Sequence, residues 1–369
     1  MNLFERVMMP KPKQSWFDMT HDRKYSLDMG FLVPNGLAET MPGDLWTLSA
    51  ENLFRLAPLV SPVMHRITID THYFFCPIRL VFPQWEDYNL EQSPIEHPWI
   101  DRLDSIESGD LGDYLGYPTA NSSLSELRAN PIPIAMYALI FDEWYRDQNL
   151  ANEQFEVLPG GEAPVSVTNL MNSAPLPRAY RHDYFTSCLP TPSKGVDVRI
   201  PAFLTGDGVV EPTEDGTQPQ WNITSNDNLA AGAVTGQAIT GDVQVGGNDA
   251  YYDPNGHLVI PSSQVGYIRD LRRAFKLQEW YEKRSRGGSR LVEINQSHFG
   301  VRNPDARLNR PELIGGFRQN MVISEVLSTA QTIDQSSNDI PVGELAGHGI
   351  SYGGGNKFKY YCHERGFIF

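Results

Sequence analysis

Nine histidines (His21, His65, His72, His97, His182, His257, His298, His348 and His363) and three cysteines (Cys76, Cys188 and Cys362) are the side chains best suited to hold a metal or attack an electrophile. A metal centre read from sequence needs ligands spaced to share one face of a strand or helix, as in HxH, HxxxH or HExxH. None of the nine histidines falls into such a pattern. Cys188 has His182 near it in the chain, but nothing marks the thiol as activated. Carboxylates crowd the stretch 84–113 (Glu86, Asp87, Glu91, Asp101, Asp104, Asp110 and Asp113), without the DxDxDG order of a calcium loop. They read as a solvated acidic surface. The run Gly353-Gly-Gly-Asn-Lys357 lacks the spacing of a phosphate loop and leads into a strand-like segment instead of a helix. The residues therefore point to no metal, no cofactor and no catalytic set.

Charge is a second kind of chemistry, and here it is unevenly placed. The net charge is −15. Residues 84–162 hold 16 acids against three bases, and residues 203–264 hold eight acids and no base. The sharpest positive block is 265–290, where Arg269, Arg272, Arg273, Lys276, Lys283, Arg284, Arg286 and Arg290 face only Asp270, Glu279 and Glu282. Such a chain has two differently charged sides, one of which could meet phosphate. A solvated helix face beside two acidic loops accounts for the same numbers. Composition leaves both readings open.

The elements that must position these charges are short and scattered. The chain has 369 residues with 31 Gly and 27 Pro, an excess of turn formers that excludes long coiled coils and helical solenoids. From His65 to Phe82 the pattern predicts one long strand, with Ile67, Ile69, Tyr73 and Phe75 facing one way and Thr68, Asp70 and His72 the other, ended or bent at Pro77. Further strands are predicted at Leu45–Leu56, Val196–Leu204, Leu291–Ile294, Met321–Ala330 and Lys357–Phe369. Partners so far apart suit a sandwich or barrel with long excursions better than a parallel βαβ sheet. One excursion, 84–160, is acidic and includes a helix from Ile134 to Asn149, whose apolar face is Ile134, Tyr137, Leu139, Ile140, Trp144 and Tyr145. The other, 203–260, is rich in Gly, Asn and Asp and reads as a surface loop. A basic amphipathic helix follows over 262–286, capped by Ser262 or Ser263, striped by Ile268, Leu271, Phe275 and Tyr281, and stopped by Gly287-Gly288. The longest apolar run, Pro131 to Phe141, is about half of what spans a bilayer. With Glu5 and Arg6 near the start, no secretory signal is expected, and the cysteines read as buried thiols of a reducing compartment.

Several ordered segments carry a family likeness. They are Gly30-Phe-Leu-Val-Pro34, Met41-Pro-Gly-Asp44, Ala57-Pro-Leu-Val-Ser-Pro-Val-Met64, Thr71-His-Tyr-Phe-Phe-Cys-Pro-Ile-Arg-Leu80, Glu143-Trp-Tyr-Arg-Asp-Gln-Asn149 and Arg181-His-Asp-Tyr-Phe-Thr-Ser-Cys-Leu-Pro190. The strongest block follows the basic helix: Arg286-Gly-Gly-Ser-Arg290, His298-Phe-Gly-Val301, Pro304-Asp-Ala-Arg-Leu308 and Arg310-Pro-Glu-Leu-Ile-Gly-Gly316. Together they resemble the major capsid protein of microviruses, small tailless phages with circular single-stranded DNA, and within them the gokushovirus-like branch.

The resemblance implies a mainly β jelly roll, an eight-stranded antiparallel barrel or sandwich with long inserted loops and a few helices, spanning 1–369 as one capsid domain. It implies a non-enzymatic subunit that assembles with its own copies into a small icosahedral shell around single-stranded DNA. A small basic packaging protein, other virion or scaffolding proteins, no membrane, and assembly in the cytoplasm of a bacterial host go with it. The acidic loop 203–260 would face outward, since an inward face would repel phosphate. Candidate DNA contacts are then Lys11, Lys13 and Trp16, with Arg269, Arg272, Arg273, Lys276, Lys283, Arg284, Arg286 and Arg290 of the basic helix and its end. Arg302, Arg307 and Arg310, in a stretch too polar for a core, are candidates for carboxylate partners within or between subunits. A carbohydrate- or receptor-binding jelly-roll module is the alternative, and a barrel enzyme using distant acids a third. The apolar strand-like end at Cys362–Phe369, which continues further in the family, is expected to need a partner along its edge.

Overall fold

The computed structural model describes residues 13–56, 65–90, 94–101, 105–119, 127–189, 194, 198, 208–210, 243–245, 248–252, 258–260, 268–327 and 345–369. In chain order the elements are β1 (Ala38–Thr40), β2 (Leu45–Leu48), β3 (Glu51–Arg55), β4 (Ile67–Pro77), α1 (Ile78–Val81), α2 (Trp85–Leu90), α3 (Leu111–Leu115), α4 (Ile132–Ile140) and α5 (Val165–Met171). Then come β5 (Gly208–Val210), β6 (Val243–Val245), β7 (Asn248–Tyr252), β8 (Leu258–Ile260), α6 (Ile268–Gly287) and α7 (Leu291–Phe299). The chain closes with β9 (Glu312–Leu327), β10 (Leu345–Gly354), β11 (Phe358–Tyr361) and β12 (Gly366–Ile368). It divides into two compact units, one of Met1–Cys188, Arg290–Val292 and Val301–Phe369, the other of Leu189–Ser289 and Glu293–Gly300.

Among the described residues the first unit holds eight strands, every pair antiparallel, in a six-stranded sheet of order β1-β12-β4-β9-β10-β3 and a two-stranded sheet of β2 and β11. This is a mainly β architecture of the jelly-roll type. Only β9 and β10 are neighbours in sequence. The other pairs close over long loops, so the ladder depends on side chains that match across great sequence distance. Strands β2–β3 and β10–β11 act as two bent ribbons that leave one sheet for the other. At that corner the Gly355 amide donates to Ala50 O (2.8 Å), and a Cβ on Gly355 would sit 2.4 Å from the Phe317 ring. Only glycine fits there.

The terminal strand is not an edge. β12 pairs with β1 on one side (Ala38↔Ile368) and β4 on the other (Ile368↔Phe75). Phe74 and Phe369 exchange backbone hydrogen bonds of 2.9 and 3.1 Å. The partner anticipated for this apolar end is thus supplied twice by the chain itself.

Most of the core lies against helices. All nine residues of α4 are buried, Pro133 included, so Pro131–Phe141 is a helix apolar all round and not the one-faced helix expected. It starts at Ile132, and after a π-helical turn over Phe141–Tyr145 it ends at Tyr145, four residues short of the predicted Asn149. α1, α3 and α5 pack around it through Val81, Leu111, Leu115, Val167 and Met171. The Tyr137 hydroxyl donates to Leu32 O (2.7 Å) and accepts from the Leu176 amide (2.9 Å), while burial pushes its ionisation up.

Several predicted elements change in the structure. The long strand ends at Pro77, the stop expected there, and only its predicted remainder differs: Ile78–Val81 is a helical turn, because proline cannot continue the ladder. Leu45–Leu56 is two strands broken at Ser49-Ala50, and Lys357–Phe369 likewise splits around Cys362–Arg365. β9 begins nine residues before the expected Met321. Leu291–Ile294 opens a helix instead of a strand: four apolar-rich residues fit either period, and the five that follow complete two turns. Val196–Leu204 lies outside the described residues except for position 198. Two cysteines are buried as expected, but Cys188 is exposed, on a loop clear of the core.

The second unit contains the four-stranded antiparallel sheet β5-β8-β7-β6 and helix α6. α6 begins at Ile268, not 262, and the proposed Ser262 or Ser263 cap lies outside the described residues.

Candidate functional site

Strand β4 is half-buried, so its polar face must find partners. Up to Tyr73 the strand alternates as its sequence dictates, before a bulge between Tyr73 and Phe74. Asp70 therefore stands opposite Arg318 of β9 on the outer face. Its carboxylate, 5% exposed, accepts from three guanidiniums: Arg318 Nε (2.5 Å), Arg181 Nη2 (2.5 Å) and Arg178 Nη1 (3.0 Å). Burial alone would raise the Asp70 carboxyl. The hydrogen bonds from Arg318 and Arg178, with the charges of Arg318 and Arg181, overrule it and hold its pKa at about 2. Two residues on, His72 shares this face, and its Nδ1 lies 2.7 Å from the Tyr145 hydroxyl. Desolvation pulls its pKa down against the raising effect of Asp70, and the arginines add to the lowering, so the ring is neutral near pH 7.

Arg178 and Arg181 come from a loop that leaves the core at Leu176 and runs past Arg181. Asp183 organises it: Oδ1 accepts from the Phe185 amide (2.9 Å), the Thr186 amide (2.8 Å) and the Thr186 hydroxyl (3.0 Å). The result is a fixed turn that holds Tyr184 and Phe185 in water, 88% and 84% exposed, edge-to-face at 5.4 Å. Tyr180 is exposed beside them.

The family known as "Capsid protein (F protein)" matches residues 7–369, nearly the entire chain. The chain belongs to it. It is 32% identical to the capsid protein VP1 of Bdellovibrio phage phiMH2K over 97% of this chain and 68% of that protein. It is 30% identical to VP1 of Chlamydia phage 1 over its whole length and 72% of the relative, and 28% identical to VP1 of Spiroplasma virus 4 over 94% and 65%. This is a microvirus major capsid protein, a structural component of the virion and not an enzyme.

For a capsid protein the surfaces left open matter more than any cavity. On the outer face of the large sheet, Leu53 pairs across from Tyr352 and Val322 from Ile350, and all four are exposed. The arm over residues 13–29 has no regular structure and exposes Trp16, Phe17, Met19 and Met29. It is tied down at Arg23, which donates to Asn35 O and Tyr114 O, and at Ser26, whose carbonyl accepts from the Tyr114 hydroxyl.

The residues anticipated for this capsid protein are distributed over both units. Lys11 lies outside the described residues, and Lys13 and Trp16 stand exposed on the arm. On α6, Arg269, Arg272, Arg273, Lys276, Lys283 and Arg286 are exposed, and Arg284 is half-buried. The apolar stripe expected to seat this helix is partly in water too, with Ile268 and Phe275 exposed and Leu271 and Tyr281 half-buried. Lys276 pairs with Glu279 (2.7 Å) and Arg269 with Asp270 (3.4 Å). Arg290 belongs to the first unit, where its guanidinium donates to Asp142 O and Arg146 O. Arg310 is buried on the Trp144 ring (4.0 Å), with Asp305 and Glu143 at 3.6 and 3.7 Å in the same chain. Arg302 and Arg307 are exposed. The Asp70 cluster was not foreseen. Its signal was an acid at an alternating strand position, which reads as solvent-facing until the distant partners are known.

Among the described residues no three His, Cys, Asp or Glu side chains converge as metal ligands, and no helix is long and apolar enough to cross a membrane. One catalytic spacing escaped the reading of the sequence: Gly349-Ile-Ser351-Tyr-Gly353 has the letters of a nucleophile elbow. It is strand interior, not a strand-to-helix turn, and the buried Ser351 hydroxyl donates to Asn320 O (2.9 Å). That serine is structural.

Proposed function

We propose that this capsid protein closes with copies of itself into a small icosahedral shell around a single-stranded DNA genome, in the cytoplasm of a bacterial host. The observation that carries the reading is the exposed apolar and aromatic surface of the first unit, on the sheet face (Leu53, Val322, Ile350, Tyr352) and the arm (Trp16, Phe17), in a member of a capsid family. Apolar surface of this kind drives association when neighbouring copies cover it. Closed symmetry then turns weak contacts into a stable container, because each copy is held by several neighbours at once. Exposed Lys13 and the cations of α6 offer sequence-independent phosphate contact, and exposed Arg302 and Arg307 offer carboxylate contact between subunits. With a net charge of −15, a small basic packaging protein is needed to neutralise the genome. The Gly-, Asn- and Asp-rich loop 203–260, most of which lies outside the described residues, has eight acids and no base, a charge that suits a face turned away from the DNA.

Size-exclusion chromatography with electron microscopy of the purified chain tests this. Shells or ring-like intermediates are expected. Small discrete species at high concentration, with genome and helper proteins supplied, would overturn it. DNA retention by the particle is expected to fall as salt rises.

A further inference from the structure

We propose that the loop 178–187 and the strand face beneath it form a docking platform for single-stranded nucleic acid, with Arg178, Arg181 and Arg318 gripping phosphates and Tyr184 and Phe185 stacking on bases. It rests on the reading of a DNA-filled shell and adds the place and manner of contact, on residues outside the basic helix.

Charge carries the first half. Three guanidiniums converge on one carboxylate and leave a local surplus of two positive charges. Among the described residues no second carboxylate pairs with any of the three. Each guanidinium spends one N–H on Asp70 and keeps its remaining donors, and the three side chains are 34%, 52% and 53% exposed. Two other carboxylates stand near, and neither pairs with these guanidiniums: Asp183 is ionised within its own turn and Asp147 lies 3.4 Å from His182, while His72 adds no charge. Asp70 holds the forks in place before a ligand arrives, so little side-chain freedom is lost on binding a phosphate.

The aromatic rings carry the second half. Two large rings in water, on a turn locked by hydrogen bonds, are costly to a lone subunit and useful as a stacking surface. Phosphate grips beside exposed ring faces are the combination that binds unpaired strands. Grips on phosphate and stacking on ring faces carry no base identity, so binding through them is indifferent to sequence.

The test is fluorescence anisotropy of a fluorescein-labelled oligo(dT) with the purified full-length chain, across a salt titration. Arg181→Gln is expected to weaken binding several-fold and to flatten the log K against log salt slope by about 0.7. Arg181→Lys, which keeps the charge, should restore most of that slope. Tyr184→Ala with Phe185→Ala, at positions almost wholly in water, should weaken binding about tenfold at unchanged slope. Parental affinity and slope in both variants, while Arg272→Gln with Arg273→Gln on α6 loses binding, would overturn the platform and leave the DNA-filled shell standing. Variants that bind oligo(dT) normally but no longer assemble would make this face a contact between copies, and overturn it as well. A parental chain that never retains the oligonucleotide sinks both readings.

Discussion

Asp70 is a single acid with three basic partners, and its energetics follow from that imbalance. Its pKa near 2 lies below the ordinary carboxylate value of 3.8, so the group stabilises the fold when ionised. The contribution is fully present above about pH 4 and is lost as pH falls through 2. Because two of the arginines are half in water, screening reduces it to about 1–2 kcal/mol. Asp70→Asn should therefore lower stability by that amount at pH 7, read from urea unfolding by circular dichroism. The gap to the parent should close between pH 4 and pH 2. A gap constant with pH would show that Asp70 acts through packing alone. Arg310 is the opposite case, a buried cation on Trp144 with Asp305 and Glu143 at hand. Arg310→Met would leave Asp305 without its cation in a site where burial already raises its pKa, and about 2–3 kcal/mol should be lost.

At the scale of elements, β12 decides whether the large sheet is continuous, because it alone joins β1 to β4. Gly366 makes this close approach possible: a Cβ there would lie 2.4 Å from Cys76 O and 2.8 Å from the Phe75 ring. Gly366→Val is expected to pry β12 from β4 and cost at least 2 kcal/mol, roughly the range of other steric insertions into packed sites. Proteolysis from the C-terminus, slow in the parent, should become fast in the variant. α4 works differently. Its partners surround it on every side, so Met136→Ala, at a fully buried position, should cost about 2–5 kcal/mol with no new protease site. Both variants should melt earlier in a thermal scan at neutral pH, and only Gly366→Val should gain C-terminal cleavage.

At the scale of the whole molecule, the paired exposed residues of the sheet face are the measure of assembly. Leu53→Asp with Val322→Asp changes two side chains that already lie in water, so the isolated subunit should keep its stability within about 0.5 kcal/mol. Assembly should fail, because each charge would be buried without a partner at a subunit contact. Light scattering under conditions that form shells from the parent checks both halves at once. Normal shells from the double variant would place the contacts elsewhere, with the arm around Trp16 and Phe17 as the next surface to test.

The linear chain determined a good deal of this. Period-two alternation from Ile67 to Tyr73, the proline stop at Pro77, the scattered strands and the ordered family segments all depend on neighbours within a few residues, so they could be read directly. The same alternation placed Asp70 on the polar face and could say no more, because Arg178 is 108 residues away and Arg318 is 248. Leu291–Ile294 was misjudged for want of length, and α4 was given a polar side it does not have. Which of the many arginines are consumed inside the subunit, as Arg290 and Arg310 are, and which keep their donors for a partner, was settled only by packing. Charge and periodicity are local properties of a chain. Pairing across the sheet is not, since burial and partner choice exist only once distant segments meet.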